Sequence, residues 1–118
     1  KLKRFHKKHL RVATVTVVRP PARFGVVSFN NNSNLVKKFS EKPKTDMGWI
    51  NGGFFVLNSK VFNFFKNRNE IFEYQVLKRL TVNNNLFARK HKGIWQCCDT
   101  PRDKTLITKI IKNNLLKI

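Results

Sequence analysis

The first half of the chain is built from short apolar runs separated by polar turns, which is the pattern of β-strands. Residues 12–18, VATVTVV, are β-branched and almost entirely apolar, so they predict a strand buried on both faces. Residues 24–29 and 35–40 flank a polar cluster at residues 30–34 and predict a hairpin. A further apolar run at residues 49–57 predicts another strand. This half of the chain is therefore expected to be mainly sheet.

Helical spacing of apolar residues marks both ends of the chain and part of its second half. Residues 1–10 are expected to be the last turns of an amphipathic helix, and the apolar positions of residues 71–80 fall on one helical face. Thr100 followed by Pro101 is typical of a helix start, because a capping side chain precedes a proline at the first helical position. The apolar stripe that follows predicts a terminal helix.

Shorter elements complete the second half. Ser59 is expected to cap a helix over residues 60–65, while residues 86–90 and 94–98 predict two short strands. Together the elements indicate an α/β chain. Its 118 residues support one domain or half of a larger one.

Basic residues dominate the charge of the chain, with 25 Lys and Arg against 6 Asp and Glu and a net charge of +19. Taken alone, this balance is typical of a protein that binds nucleic acid or another polyanion. The basic residues are scattered over all predicted elements, however, and no RNA-binding motif accompanies them. Lys, Asn, Phe and Ile, which A+T-rich codons favour, are all abundant. We therefore expect no nucleic-acid partner, and we keep a non-catalytic basic binding module as an alternative.

The cysteines and the lengths of the apolar runs indicate the cellular compartment in which the protein is expected. No apolar run approaches the roughly 20 residues of a membrane span, and the basic first residues do not resemble a signal peptide. Cys97 and Cys98 are adjacent, so a disulfide between them would be strained. We therefore expect a cytoplasmic protein with reduced thiols and no membrane partner.

The run at residues 39–55, FSEKPKTDMGWINGGFF, combines two kinds of ligand-binding group. Glu41 can accept hydrogen bonds from sugar hydroxyls, and Lys42 can place a point charge on a phosphate. Asn51 adds an amide, and Gly52 lets a ligand approach the backbone closely. These residue types suit a sugar phosphate. The alternatives are a solvated Glu-Lys pair and, at the glycine, a β-bulge or a tight packing contact.

A second run at residues 93–103, GIWQCCDTPRD, ends a predicted strand at Asp99 and then begins a helix. A carboxylate oxygen at that position could be a ligand of Mg²⁺, which prefers hard oxygen ligands. The same carboxylate would also suit a helix cap, for which Thr100 competes.

The two runs, in this order and spacing, resemble the C-terminal part of the sugar-phosphate nucleotidylyltransferase family, and within it the cytidylyl branch. Further matches lie at residues 13–16, 19–25 and 91–93. The resemblance implies the C-terminal half of a doubly wound α/β sheet with a β-rich sugar-binding region and a terminal helix. It also implies an enzyme that makes CDP-glucose and pyrophosphate from CTP and glucose 1-phosphate. Mg²⁺ would be its cofactor, it would form a homo-oligomer, and its product would feed cell-surface polysaccharide.

The resemblance assigns a role to each candidate residue: a phosphate contact for Lys42, sugar contacts for Glu41, Asn51 and Gly52, and a Mg²⁺ ligand for Asp99. Trp49 is expected to pack, although it could also line the pocket. Arg23 lies near the implied active site or a subunit contact, and its role stays open.

The family's nucleotide-binding signature has no counterpart in this chain. A glycine-rich loop, a lysine-proline pair and a first metal aspartate, which precede the matched part in the family, are all missing. The resemblance therefore implies that residues 1–118 are a partial domain, the sugar-phosphate-binding half, and are inactive alone. Most of the residues that recognise the nucleotide base in this family belong to the missing half, so uridylyl or thymidylyl transfer stays an alternative.

Overall fold

The computed structural model describes residues 1–20, 26–40 and 48–115. These residues form a mixed α/β structure, which confirms the expected fold class. Its elements, in chain order, are α1 (Leu2–His9), β1 (Ala13–Val18), β2 (Val26–Phe29), β3 (Val36–Ser40), β4 (Ile50–Leu57), a 3-10 helix (Ser59–Phe64), a π-helical turn (Phe72–Val76), α2 (Leu77–Val82), β5 (Leu86–Lys90) and α3 (Pro101–Leu115).

The chain forms two compact units. The first comprises residues 1–19 and 49–92, and the second comprises residues 20–48 and 93–118. The assignment of residues 1–118 to one partial domain stays a prediction.

β1 is the central strand of the first unit and is hydrogen-bonded on both sides. It pairs antiparallel with β4 and parallel with β5, so the strand order is β4-β1-β5. Ala13 and Thr14 are 0% exposed and Val18 is 1% exposed. This burial is what the β-branched run predicts for a strand covered on both faces.

The core of the first unit joins the beginning of β1 to the helices that follow β4. Its buried hydrophobic residues are Val12, Ala13, Val61, Val76 and Leu80. Val76 and Leu80 lie four residues apart and therefore on one helical face. Phe72 adds ring contacts to Phe55 of β4 and to Phe65, with centroids 5.3 and 6.5 Å apart. The helical segment is thus held against the sheet by apolar packing.

Two histidines hold α1 against β1 through one buried hydroxyl. His6 Nδ1 and His9 Nε2 lie 2.8 and 2.6 Å from Oγ1 of Thr14. The backbone N–H of Arg11 donates to His9 Nδ1 at 3.0 Å, so neutral His9 carries its proton on Nε2 and donates it to the hydroxyl. Burial, together with the charge of His6, lowers the pKa of His9, and the neutral ring is the form that this packing favours.

An ion pair ties the loop after the 3-10 helix to α2. The guanidinium group of Arg79 donates to both carboxylate oxygens of Glu70 and, at 2.6 Å, to the carbonyl oxygen of Phe64. The N–H of Lys66 donates to the same carboxylate at 2.9 Å. The Arg79 hydrogen bonds, assisted by that of Lys66, lower the pKa of Glu70 to about 2. The carboxylate therefore stays ionised at neutral pH.

Three elements differ from the sequence prediction. Residues 94–98, which the structure describes in full, form no strand. Asn58 caps the 3-10 helix in place of Ser59, and its side chain accepts a backbone hydrogen bond at 2.9 Å. Asn and Ser are similarly good caps, so sequence preference alone does not choose between these neighbours. The helix predicted over residues 71–80 begins as the π-helical turn and continues as α2 to Val82.

The second unit contributes a hairpin and a terminal helix. β2 and β3 pair antiparallel around a turn in which Asn32 has a left-handed φ of 56°, which confirms the predicted hairpin. The predicted terminal helix is confirmed as α3, which begins at Pro101. Among the helices of residues 1–20, 26–40 and 48–115, none has the length and apolar composition needed to cross a membrane.

Neutralising Glu70 should remove a pH-dependent part of the stability. Its folded-state pKa lies below the ordinary 4.5, so the stabilisation is present above pH 4.5 and is lost as the pH falls towards 2. We expect Glu70→Gln to be less stable than the unaltered chain at neutral pH. The difference should shrink through that acidic range when urea unfolding is measured at successive pH values.

The matched control is Glu73→Gln, which changes the same charge outside this ion pair. It should not reproduce the pH dependence. A stability difference for Glu70→Gln that stays constant with pH would contradict the assignment.

Candidate functional site

One edge of the three-stranded sheet gathers polar and basic side chains. The carboxyl ends of β1 and β5 meet the amino end of β4 there, because β1 is parallel to β5 and antiparallel to β4. Val17 of β1 pairs with Asn51 on one side and with Lys90 on the other. In open α/β sheets, ligands bind outside the carboxyl ends of the strands. This edge is therefore the candidate site of the first unit.

Asn51 is exposed on β4, and neighbouring groups orient its side chain. Its Oδ1 accepts a hydrogen bond from the N–H of Gly53 at 2.8 Å, and its Nδ2 lies 3.5 Å from Oε1 of Glu73. The second of these is a long contact. Because a side-chain amide carries two N–H hydrogens, Asn51 can also donate to a ligand hydroxyl.

Gly52 of β4 is buried against β1, and this packing explains why the residue at this position is a glycine. A Cβ at this position would lie 3.0 Å from the carbonyl oxygen of Thr16 and 3.0 Å from Cγ1 of Val18. The β1–β4 register shifts at the same place, between Val15 and Val17. Gly53 has a φ of +82°, which favours glycine. The structure thus shows the bulge and the tight packing contact that the sequence left as alternatives to a ligand contact.

Trp49 is half-buried beside Asn51 and carries two cations over its ring. Cζ of Arg19 lies 4.9 Å from a ring centroid of Trp49, and Nζ of Lys90 lies 5.4 Å from it. Both distances are typical of cation–π contacts. Trp49 therefore does more than fill space, since the basic group that follows β1 and the basic group that ends β5 both contact its ring.

In the second unit, a reciprocal pair of hydrogen bonds caps α3. Oγ1 of Thr100 accepts from the N–H of Asp103 at 3.2 Å, while Oδ2 of Asp103 accepts from the N–H groups of Thr100 and Asp99 at 3.1 and 3.2 Å. This arrangement is a capping box. The cap therefore belongs to Thr100 and Asp103, and no described residue hydrogen-bonds the exposed carboxylate of Asp99.

Three side chains that could be metal ligands lie close together around Asp99. Sγ of Cys97 and carboxylate oxygens of Asp99 and Asp103 all lie within 4.8 Å of one another. The carboxylate of Asp103 is buried and occupied by the capping hydrogen bonds, and a thiol is a poor ligand for Mg²⁺. Asp99 fits as one exposed oxygen ligand, and substrate phosphates and water would have to complete the shell.

The predicted site residues are distributed over both units. Asn51 and Gly52 lie next to each other in the first unit, and Asp99 belongs to the second. Glu41 and Lys42 lie outside the described residues, as does Arg23. Their predicted roles stay predictions.

Three features around the candidate site residues were not predicted from the sequence. The Thr100-x-x-Asp103 spacing carried a usable signal, because it follows the capping-box pattern with Asp in the acidic position. Glu73 beside Asn51, and the two cations over Trp49, carried no local signal. They depend on strand register and on packing of the segment after β4.

A family model described as nucleotidyl transferase matches residues 1–106. The chain belongs to this family. A glucose-1-phosphate cytidylyltransferase of Salmonella typhimurium is 43% identical over 87% of this chain and 39% of that protein. A mannose-1-phosphate guanylyltransferase of Arabidopsis thaliana is 32% identical over 96% of this chain and 32% of that protein. The chain thus spans less than half of the length of these relatives.

A solved structure supports the fold. It is described as a glucose-1-phosphate thymidylyltransferase from Bacillus anthracis in complex with a sucrose, and it matches with a TM-score of 0.53. The match covers 92% of this chain and 46% of that chain at 18% identity, so it shows the fold alone. Sugar nucleotidyltransferases use a nucleoside triphosphate and a sugar phosphate, commonly with a divalent metal, which agrees with the family of this chain.

Gly52→Ala should destabilise the first unit by about 1–3 kcal/mol, because the added methyl group overpacks the contact between β4 and β1. Urea unfolding measures the loss. Gly48→Ala is the matched control, since a Cβ there meets no atom within 4 Å. Equal stability of Gly52→Ala and the unaltered chain would contradict the close approach of the two strands.

Because Thr100 and Asp103 cap α3 and the side chain of Asp99 does not, substitutions at Thr100 and at Asp99 should differ in their effect on stability. Thr100→Ala should cost about 1 kcal/mol because it removes the cap, whereas Asp99→Ala should leave the free energy of unfolding nearly unchanged. Chemical unfolding followed by circular dichroism distinguishes the two. A loss at Asp99→Ala as large as that at Thr100→Ala would show that Asp99 caps the helix.

Proposed function

We propose that this chain is the sugar-phosphate-binding part of a glucose-1-phosphate cytidylyltransferase, which makes CDP-glucose and pyrophosphate from CTP and glucose 1-phosphate. The observation that carries the proposal is the 43% identity to the Salmonella protein of that name over 87% of the chain. Two structural observations support it. Asn51 is exposed at the carboxyl edge of the parallel strand pair, and the carboxylate of Asp99 is not used by the helix cap.

The sugar contact is proposed at the amino end of β4. Asn51 would donate its remaining amide hydrogen to a sugar hydroxyl, and the adjacent carboxylate of Glu73 could accept from another. Gly52 would act mainly by bringing β4 close to β1, which sets the position of Asn51. Glu41 and Lys42 keep their proposed contacts with the sugar ring and the phosphate.

Nucleotidyl transfer needs a phosphate oxygen of the sugar phosphate to attack the α-phosphorus of the nucleotide. The bond from that phosphorus to the bridging oxygen breaks, and pyrophosphate leaves. No covalent enzyme intermediate is required, so positioning and charge neutralisation supply the rate. Asp99 is proposed to hold Mg²⁺, which when bound would neutralise and orient the phosphates.

The choice of CTP rests on similarity and not on a described contact to a base. The Arabidopsis relative is a guanylyltransferase and is still 32% identical, against 43% for the cytidylyltransferase. Uridylyl or thymidylyl transfer therefore stays the alternative, and competing nucleotides belong in the assay.

Assembly and location belong to the same proposal. Large apolar side chains of the hairpin are exposed, among them Phe29 at 56% and Phe39 at 67%. Such a surface would be covered in a homo-oligomer. A cytoplasmic location and a role in supplying polysaccharide synthesis are proposed with it.

The experiment is pyrophosphate release by the native protein that contains this chain, with glucose 1-phosphate and each of CTP, UTP, dTTP and GTP. We expect CTP to be used best. Asp99→Asn should lower kcat by about a hundredfold or more and raise the Mg²⁺ concentration needed, because it removes a charged metal ligand.

Asp103→Asn is the matched control, since it changes the neighbouring carboxylate that serves the cap. It should lower stability without changing the Mg²⁺ dependence. Use of another nucleotide in preference to CTP would overturn the cytidylyl assignment. A protein that transfers no nucleotide to glucose 1-phosphate would overturn the whole proposal.

A further inference from the structure

Asn51 and Lys90 lie on one face of the sheet with Val17 between them. Val17 pairs with Asn51 of β4 and with Lys90 of β5. Residues that pair across strands project to the same face. The separation is two strand spacings, about 10 Å, which is comparable to the length of a hexose phosphate. A ligand that contacts Asn51 can therefore reach Lys90.

Arg19 and Trp49 continue that face at the end of the ladder. The last pair of the β1–β4 register is Val18 with Ile50. Arg19 is the next residue after β1, and Trp49 is the residue just before β4. Trp49 also lies two residues before Asn51, and side chains two apart on a strand share a face. The cation–π distances of 4.9 and 5.4 Å agree with this placement.

The two cations over Trp49 are exposed and not neutralised by the residues that the structure describes. Neither Arg19 nor Lys90 forms an ion pair within residues 1–20, 26–40 and 48–115. Two like charges gathered on one ring favour an anionic ligand that can accept hydrogen bonds from both. A phosphate monoester dianion has the charge and the oxygens to do so.

The Asn51 end of this face carries different chemical groups from the end at Trp49. Asn51 lies on the edge strand β4, where its amide contacts the carboxylate of Glu73. A carboxylate beside an amide suits uncharged hydroxyl groups and would repel a phosphate. The edge therefore has an amide and a carboxylate at Asn51 and Glu73, and two cations at Arg19 and Lys90.

We infer that Arg19, Trp49 and Lys90 form a binding site for the phosphate group of a sugar phosphate whose sugar contacts Asn51. The inference rests on the proposed function, and it adds Arg19 and Lys90 to the residues proposed to bind the sugar phosphate. Arg19 and Lys90 bind the phosphate oxygens, and Trp49 holds both side chains in place.

The test follows the fluorescence of Trp49 in a Trp95→Phe background, where Trp49 is the remaining tryptophan of the two in the chain. The protein is titrated with glucose 1-phosphate, glucose, CTP and a short RNA. Arg19→Gln and Lys90→Gln should each weaken glucose 1-phosphate binding by about tenfold, because each removes a charge-assisted hydrogen bond. The affinity for glucose should not change.

Arg11→Gln is the matched control. Arg11 also lies over an aromatic ring, that of Phe87, at 5.9 Å, but it precedes β1 and so belongs to the other end of that strand. The Arg11→Gln variant should bind glucose 1-phosphate with the same affinity as the unaltered chain. An equal loss in all three variants would overturn the inference, since only overall charge would then matter.

The outcomes separate this inference from the proposed function. If the unaltered chain binds glucose 1-phosphate and both variants bind it equally well, the inference fails and the proposed function stands. If Arg19 and Lys90 affect CTP alone, the assignment to the sugar phosphate is wrong. If they affect the RNA alone and glucose 1-phosphate does not bind, both ideas fail.

Discussion

The double pairing of β1 is the constraint on which the rest of the first unit depends. This strand is hydrogen-bonded to β4 and to β5, and at Gly52 it lies so close to β4 that a Cβ there would be 3.0 Å from the carbonyl oxygen of Thr16 and from Cγ1 of Val18. The opposite directions of the two neighbours bring the amino end of β4 to the carboxyl ends of β1 and β5. Without that pairing, Asn51 and the basic residues that follow β1 and end β5 would not share an edge.

The chemistry of this edge follows from its register. Lys90 and Asn51 reach the same face because each pairs with Val17 from one side. The helical segment after β4 adds the carboxylate of Glu73 at one end only. An edge with hydroxyl-binding groups at one end and cations at the other suits a ligand with the same polarity. In the second unit, the capping box leaves the neighbouring carboxylate of Asp99 free of the helix.

Local patterns predicted the elements better than the contacts between them. The β-branched run of β1, the hairpin and the start of α3 at Pro101 were predictable because each depends on nearby residues. The strand expected at residues 94–98 was wrong, since an apolar run does not form a strand unless another strand pairs with it. Asn51 and Gly52 were singled out from sequence. The cations over Trp49 were not, because Lys90 reaches it only through the pairing of strands distant in sequence.

The most direct measurement is a glucose 1-phosphate titration of the chain followed residue by residue in ¹H–¹⁵N spectra. A sugar-phosphate site at this edge predicts shifts of the amide signals of Asn51, Gly52 and Lys90, with Arg11 and Phe87 unchanged. A full titration that leaves Asn51 and Lys90 unshifted would contradict it.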